Sequence, residues 1–353
     1  MIQRELFLPP ITILILVVGL TTLSSAAPGG ELRRQLLYLG VAVLACGVVY
    51  WLGRARIMRY TAQIYLAALG LLVLTQFFGT EVNGAQSWLY IGPLPGFQPS
   101  ELAKLALIMV LAVSLRKHPI TQNPLSYLRP LVLIGLPMGL IVLEPDLGTA
   151  IVLLALGAGM ILVRGVPRWH VALCVVLILV AAPTVVWPNL QAHQQARVVT
   201  FLNPAQDPQG SGYQVIQARI AIGSGSLWGK GYKQGTQGQL GFIPYRHTDF
   251  IFPVLAEEGG FVAAAGLLLL YGLLFWRLVN MAVECSNMTD QLAIIGVLTL
   301  IGFQVLVNIG VTLGLAPVTG ITLPLVSHGG TSLISTLVAL SFAYVVHRDR
   351  FLD

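Results

Sequence analysis

The sequence predicts an all-α polytopic membrane protein, and three observations carry that expectation. The chain of 353 residues is 56% hydrophobic and only 10% charged, whereas soluble domains carry roughly a quarter charged residues. Its apolar residues gather into long runs, each near the roughly 20 residues that a helix needs to cross a bilayer. Its basic residues fall mostly in the short connections between those runs, the pattern that sets the orientation of membrane helices. The net charge of +6 therefore reads as topology, and no nucleic acid is expected as a partner.

Hydrocarbon tolerates only segments that satisfy their own backbone groups, so each run is read as a helix. About ten are legible: 9–27, 35–53, 60–78, 98–115, 129–144, 146–164, 168–187, 251–276, 289–314 and 328–346. The first follows Arg4 and Glu5 and has no clear small-residue cleavage site, so it is read as a retained span. Glu144, Pro145 and Asp146 alone divide the fifth from the sixth. An even count places both termini on one side. That side then holds Arg4, Arg54, Arg56, Arg59, Arg116, Lys117, Arg129, Arg164, Arg168, Arg277, Arg348 and Arg350, against Arg33 and Arg34 in the short loops opposite. The bias predicts cytoplasmic termini and one integral membrane domain over 1–353.

Within that domain, 188–250 is expected as a large extracytoplasmic loop between the seventh and eighth spans. It holds Ile220–Trp228, too apolar for a linker, so parts of it are expected as short amphipathic helices on the membrane surface. No internal repeat is legible, which weighs against a transporter built from repeated halves. Cys46, Cys174 and Cys285 have neither metal-ligand nor redox spacing.

Polar residues crowd the outward half. Pro99 suits the first turn of the fourth span and Glu101 suits its positive end. Glu101 and Lys104 lie three apart on one face, so they read either as a structural ion pair or as a substrate contact. Asp146 reads as a helix cap after Pro145, whereas Glu144 has no such excuse. Asp249 stands where the polar loop meets the eighth span, with Arg246 and His247 just before it. A carboxylate at such a mouth is partly desolvated and its pKa rises toward base duty, although a helix cap is the plainer reading. Arg246 and His247 suit anionic phosphate. Ser327, Gly329 and Gly330 precede the last apolar run and offer free backbone N–H groups to an anion, or simply start a helix. No G-x-S-x-G elbow, P-loop or H-E-x-x-H motif is present.

The pieces Asn83-Gly-Ala-Gln-Ser-Trp-Leu, Gln98-Pro-Ser-Glu-Leu-Ala-Lys, Pro145-Asp-Leu-Gly-Thr, Arg197 with Phe201-Leu-Asn-Pro204, Gly212-Tyr-Gln, Ile220-Ala-Ile-Gly-Ser-Gly, Gly229-Lys-Gly, Gly235-Thr-Gln, His247-Thr-Asp-Phe-Ile-Phe and Pro324 to Ser332 run in order along the chain. Together they resemble the SEDS family (shape, elongation, division, sporulation). Pro317-Val-Thr-Gly320 and the Arg246-His-Thr-Asp-Phe stretch look closer to its RodA branch than to the division paralogue FtsW. His328 and Thr331 stand where the family usually has Tyr and Ser, and Tyr245 where it usually has Glu.

The resemblance implies a ten-span glycosyltransferase of the bacterial cytoplasmic (inner) membrane that polymerises lipid II during elongation and rod-shape maintenance. It implies Asp249 as the essential acid. Making a β-1,4 bond from an α-linked pyrophosphate donor inverts the anomeric carbon, and Asp249 then serves as base for the acceptor hydroxyl. Arg197, Lys230, Arg246 and Lys104 are candidates to stabilise the leaving pyrophosphate, with or without a divalent cation such as Mg2+ or Mn2+. No metal site is legible in the residues themselves. The implied partners are lipid II, a class B penicillin-binding protein with one membrane span, and other elongation-complex proteins. Gly266, Gly272 and Gly296 in the eighth and ninth spans are candidate docking positions. A lipid II flippase and a non-catalytic scaffold for the transpeptidase are the competing readings.

Overall fold

The structure is a computed structural model and describes residues 7–27, 29–82, 85–90, 96–204, 207 and 210–351. Helix α1 (Leu8–Ala26) starts on Pro9 and Pro10, whose missing N–H groups would be unbonded there anyway. It is followed by α2 (Glu31–Arg59) and α3 (Thr61–Phe78). A small hairpin then pairs β1 (Thr80–Val82) antiparallel with β2 (Ala85–Trp88). Asn83 and Gly84 at its turn lie outside the described residues. Next come α4 (Pro99–Lys117), α5 (Leu128–Leu143), α6 (Leu147–Arg164) and α7 (Arg168–Ala181). Two shorter helices, α8 (Ala192–Leu202) and α9 (Ser211–Ser224), cross the outward loop. The chain closes with α10 (Ile251–Glu284), α11 (Met288–Leu313) and α12 (Gly330–Arg348).

Among the described residues nine helices are long and apolar enough to cross a membrane. Helix α4 is as long, at 19 residues, but carries Glu101, Lys104, Arg116 and Lys117. Its middle is buried by α3, α6 and α11 almost without interruption from Ala103 to Ala112. A helix sheathed by protein needs less lipid-facing apolar surface, which is why it falls short as an apolar span and still sits at the centre of the bundle. The span that begins with α7 and continues helically to Asn189 is the opposite case: none of its apolar window is buried inside the protein.

The expected eighth span, 251–276, is longer and is broken. Helix α10 runs 34 residues, with Gly260 at φ 68° and ψ −168°. A break inside a helix leaves N–H and C=O groups unbonded, which hydrocarbon does not allow unless protein supplies partners. Here the segment 226–231 supplies them. Phe261 and Val262 donate to the carbonyls of Ser226 and Leu227, and Lys230 and Gly231 donate to those of Glu257 and Glu258, all within 2.9–3.2 Å. The approach is backbone to backbone: a Cβ added to Gly260 would sit 2.3 Å from the Gly229 nitrogen.

In the outward loop, α8 is a short amphipathic helix, and α9 buries Gly212, Val215, Ala218 and Ala221, a stripe at every third residue that packs on α10 and α11. One expectation is corrected. Gly296 is internal, because a Cβ there would meet Ile108 and Met160 within about 3.1 Å. It is therefore no surface for a partner, whereas Gly266 and Gly272 have open space beside them.

Candidate active site

Three consecutive carbonyls are clamped at the start of α10. His328 N–H donates to His247 O (2.8 Å), the Ser327 hydroxyl donates to Thr248 O (2.6 Å), and Asn308 Nδ2 donates to Asp249 O (3.0 Å). Asn308 also holds Ile321 O at 2.8 Å, and Ser327 Oγ accepts from Leu323 N–H at 2.9 Å. The loop between α11 and α12 is thus bolted to the backbone of Asp249. Gln35 on α2 fixes the same loop from the other side, donating to Ser327 O (3.1 Å) and accepting from Gly329 N–H (3.3 Å). Tyr245 and Leu325, both non-glycine, hold φ at 54° and 67°, strained values that persist only where the surroundings dictate them.

The Asp249 side chain is held by none of this. It accepts no hydrogen bond from another described residue, keeps part of its surface open and faces the 317–320 turn, where a Cβ on Gly320 would lie 4.0 Å from Oδ2. Crowding by protein pushes its carboxyl up to about 6, and the positive charge of Arg197 opposes that rise. Arg197 lies exposed on α8 without a hydrogen bond or ion pair to a described residue. Helix α8 is fixed at its start by a capping box between Gln191 and Gln194. Arg197, Phe201, Val215, Arg219, Ala316 and Val318 are among the residues lining a cleft of about 10 Å³, room for about one water. Arg219 on its wall holds the carbonyls of Leu313 and Gly314 at the C-terminus of α11.

The other candidate residues are engaged inside the protein. Arg246 donates to Ala26 O at 2.7 Å and to Gly238 O. Lys230 pairs with the buried Glu257 at 2.7 Å, and Glu257 also accepts from Thr236 Oγ1 and from the N–H groups of Gln237 and Gly238. Lys104 and Glu101 form a buried pair at 2.8 Å, with Ser335 Oγ donating to the glutamate at 2.5 Å. Asp146 caps α6 through Thr149 N–H at 3.0 Å. Glu144 accepts from Thr75 and Gln76, and burial pushes its carboxyl up to about 7. Gly329 precedes α12 and Gly330 begins it, with the Tyr38 ring packed so close to Gly330 that a Cβ would strike it. His247 and His328 lie 6.0 Å apart between ring centres, and burial lowers the pKa of both.

Sequence reasoning missed Gln35 and the part played by residues 226–231. A lone amide near the start of an apolar run, and the Gly259-Gly260 pair within one, were the signals available.

The sequence profile of the cell cycle protein family of FtsW, RodA and SpoVE matches residues 6–351. The chain belongs to this family. It is 38% identical over 291 residues to the peptidoglycan glycosyltransferase MrdB of Escherichia coli strain K12, covering 82% of this chain and 78% of that protein. The rod shape determining protein RodA of Thermus thermophilus superposes with a TM-score of 0.75 at 38% identity, over 98% of this chain and 97% of the other. A chain from a peptidoglycan synthase complex that coordinates polymerisation and crosslinking superposes with a TM-score of 0.87 at 41% identity, over 98% of each. The family resemblance and the all-α membrane architecture read from the sequence are both borne out.

Proposed function

We infer that this chain is a peptidoglycan glycosyltransferase that polymerises lipid II during cell elongation, with Asp249 as its general base. One observation carries the assignment of the base: Asp249 alone among the candidate carboxylates combines a clamped backbone with a side chain that accepts no hydrogen bond from a described residue. An acceptor hydroxyl approaching its open face would lose its proton to Asp249 as the oxygen attacks the anomeric carbon from the side opposite the pyrophosphate, giving inversion. A base titrating near 6 is largely ionised at neutral pH and still accepts a proton.

Charge builds on the leaving undecaprenyl pyrophosphate, and Arg197 is the cation best placed to meet it. Lys104 and Lys230 serve the scaffold through Glu101 and Glu257. Arg246 anchors the loop and has part of its guanidinium left for substrate. Among the described residues no three His, Cys, Asp or Glu side chains cluster as a metal site. A Mg2+ or Mn2+ ion carried mainly by the pyrophosphate oxygens needs only one or two protein carboxylates and would share that charge with the arginines.

The protein lies in the bacterial cytoplasmic membrane with both termini inside. Arg54, Arg56, Arg59, Arg116 and Lys117 stand on α2 and α4 at the ends remote from Asp249, the cytoplasmic ends by the positive-inside bias. The partner is a class B penicillin-binding protein whose single span packs on α10, where Gly266 and Gly272 leave room for close helix contact. The test is glycan synthesis from purified lipid II by the reconstituted chain and by Asp249→Asn. Polymer from the native chain and none from the variant, with lipid II still bound, is expected; undiminished polymer from the variant would remove Asp249 as base.

A further inference from the structure

At the end of the bundle away from Asp249, a second cavity of about 480 Å³ is lined by Arg54, Met58, Val113, Arg116, Lys117 and Thr289. Its depth follows from α11. Thr289 on its rim and Asn308, which holds Asp249, are separated by 19 positions of one helix, about 28 Å at 1.5 Å per residue. That is close to the roughly 30 Å thickness of the hydrocarbon. If Asp249 stands at one headgroup layer, the cavity stands at the other.

The charges at this end do not cancel locally. The described carboxylates nearby already have cations: Asp290 pairs with Arg54 at 2.7 Å, Asp349 with Arg348 at 2.6 Å, and Glu284 with Arg277 at 3.7 Å and Arg350 at 3.9 Å. Arg116 and Lys117, both exposed, make no ion pair or hydrogen bond with a described residue. Two positive charges therefore point at a cavity that holds one neutralised arginine and no uncommitted described acid. The wall formed by α2 lies at the periphery, since almost none of the apolar window of that helix is buried inside the protein. Met58 and Val113 add apolar surface beside the cations.

We propose that this cavity binds a phosphate ester, and that its occupant is the headgroup of an anionic phospholipid of the leaflet opposite the active site. The phosphodiester would lie between Arg116 and Lys117, and the acyl chains would descend along α2. Basic pockets between spans at the headgroup layer are suited to this, and the assignment is independent of the polymerase chemistry.

The test is native mass spectrometry of the full chain, purified in detergent and titrated with phosphatidylglycerol, with phosphatidylcholine, or with inorganic phosphate. The native chain is expected to retain phosphatidylglycerol over phosphatidylcholine. The double variant Arg116→Gln, Lys117→Gln should bind phosphatidylglycerol about 25-fold more weakly, roughly fivefold for each cation near a headgroup, with phosphatidylcholine binding unchanged. Neither side chain is bonded within the described fold, so the melting temperature without lipid should match that of the native chain. If the variant nevertheless fails to fold, the salt dependence of the native chain decides: added salt must weaken phosphatidylglycerol binding and spare phosphatidylcholine. Equal retention of the two lipids by the native chain, or undiminished phosphatidylglycerol binding by the variant, overturns the site. Variant-sensitive binding of inorganic phosphate without phosphatidylglycerol overturns the lipid as its source.

Discussion

Replacing Asp249 by Asn should inactivate the protein and stabilise it at the same time. Asn keeps the size of the side chain and removes the base. Loss of a positioned general base costs about a hundredfold to ten-thousandfold in rate. The stability effect comes from the same burial that tunes the base. Raising a carboxyl from 3.8 to about 6 corresponds to about 3 kcal/mol of penalty on the ionised form, and the open face of the side chain cuts that to roughly half by solvent screening. The sign follows from linkage. Below about pH 3.8 the group is protonated whether the chain is folded or not, and the penalty is absent. Between about 3.8 and 6 the unfolded chain ionises first, so stability falls as pH rises, and above about 6 the full penalty is in place. The Asn variant carries no such titration. Its melting temperature in detergent should exceed that of the native chain at about pH 8 and converge with it near pH 4. Polymerisation by the native chain should climb with pH through about 6 and then level off, as the free base ionises. A variant that melts below the native chain at about pH 8, or a native rate that is flat across this range, would refute the reasoning.

Two further perturbations separate the clamp from the base. Asn308→Ala removes the donors to Asp249 O and Ile321 O from a residue that is 1% exposed; it should cost about 2–3 kcal/mol for two buried carbonyls left without partners and lower turnover while lipid II binding persists, read by thermal melting and a single-turnover assay. Gly260→Ala drives a Cβ against the backbone of Gly229 and Leu227 at a positive φ and should cost at least about 3 kcal/mol, seen as loss of monodisperse protein on size-exclusion chromatography, whereas Gly266→Ala, with nothing within 4 Å, should behave as the native chain.

The legibility of this fold follows from what hydrocarbon demands. Spans are long, apolar and locally satisfied, so their positions stand in the sequence, and Pro99, Glu101 and Asp146 mark helix starts by local chemistry alone. Helix α4 was legible as a span because of its length, although its charges lower its hydropathy. The break at Gly260 was not, because its hydrogen-bond partners lie 30 or more positions upstream at Ser226 and Leu227 and no local pattern announces them. The site divides the same way. Asp249 stands out as an acid at a membrane boundary. Its holders Gln35, Asn308 and Ser327 come from three separate segments and become neighbours only through the fold. The fates of Lys230 and Lys104 turn on buried partners. Lys104 and Glu101 share a helix turn, so their pair was one of the readings the spacing allowed; the Lys230–Glu257 pair spans 27 positions and was beyond local reading.

That division bears on how the reaction would run. With Lys104 and Lys230 tied to buried carboxylates, their charges cannot move to meet a pyrophosphate without leaving Glu101 or Glu257 uncompensated, a loss of about 3–5 kcal/mol for each broken buried pair. Arg197 is under no such constraint, and it rides on α8, a short amphipathic helix beside a cleft that admits about one water. On the polymerase reading, a pyrophosphate at the open face of Asp249 would meet the charge of Arg197, which already acts on that carboxylate, without any buried ion pair being broken. The base itself sits on a backbone that donors from the α11–α12 loop and from α11 hold, so the two groups answer different needs: a fixed proton acceptor and a solvent-facing cation for the charge that develops on the leaving group.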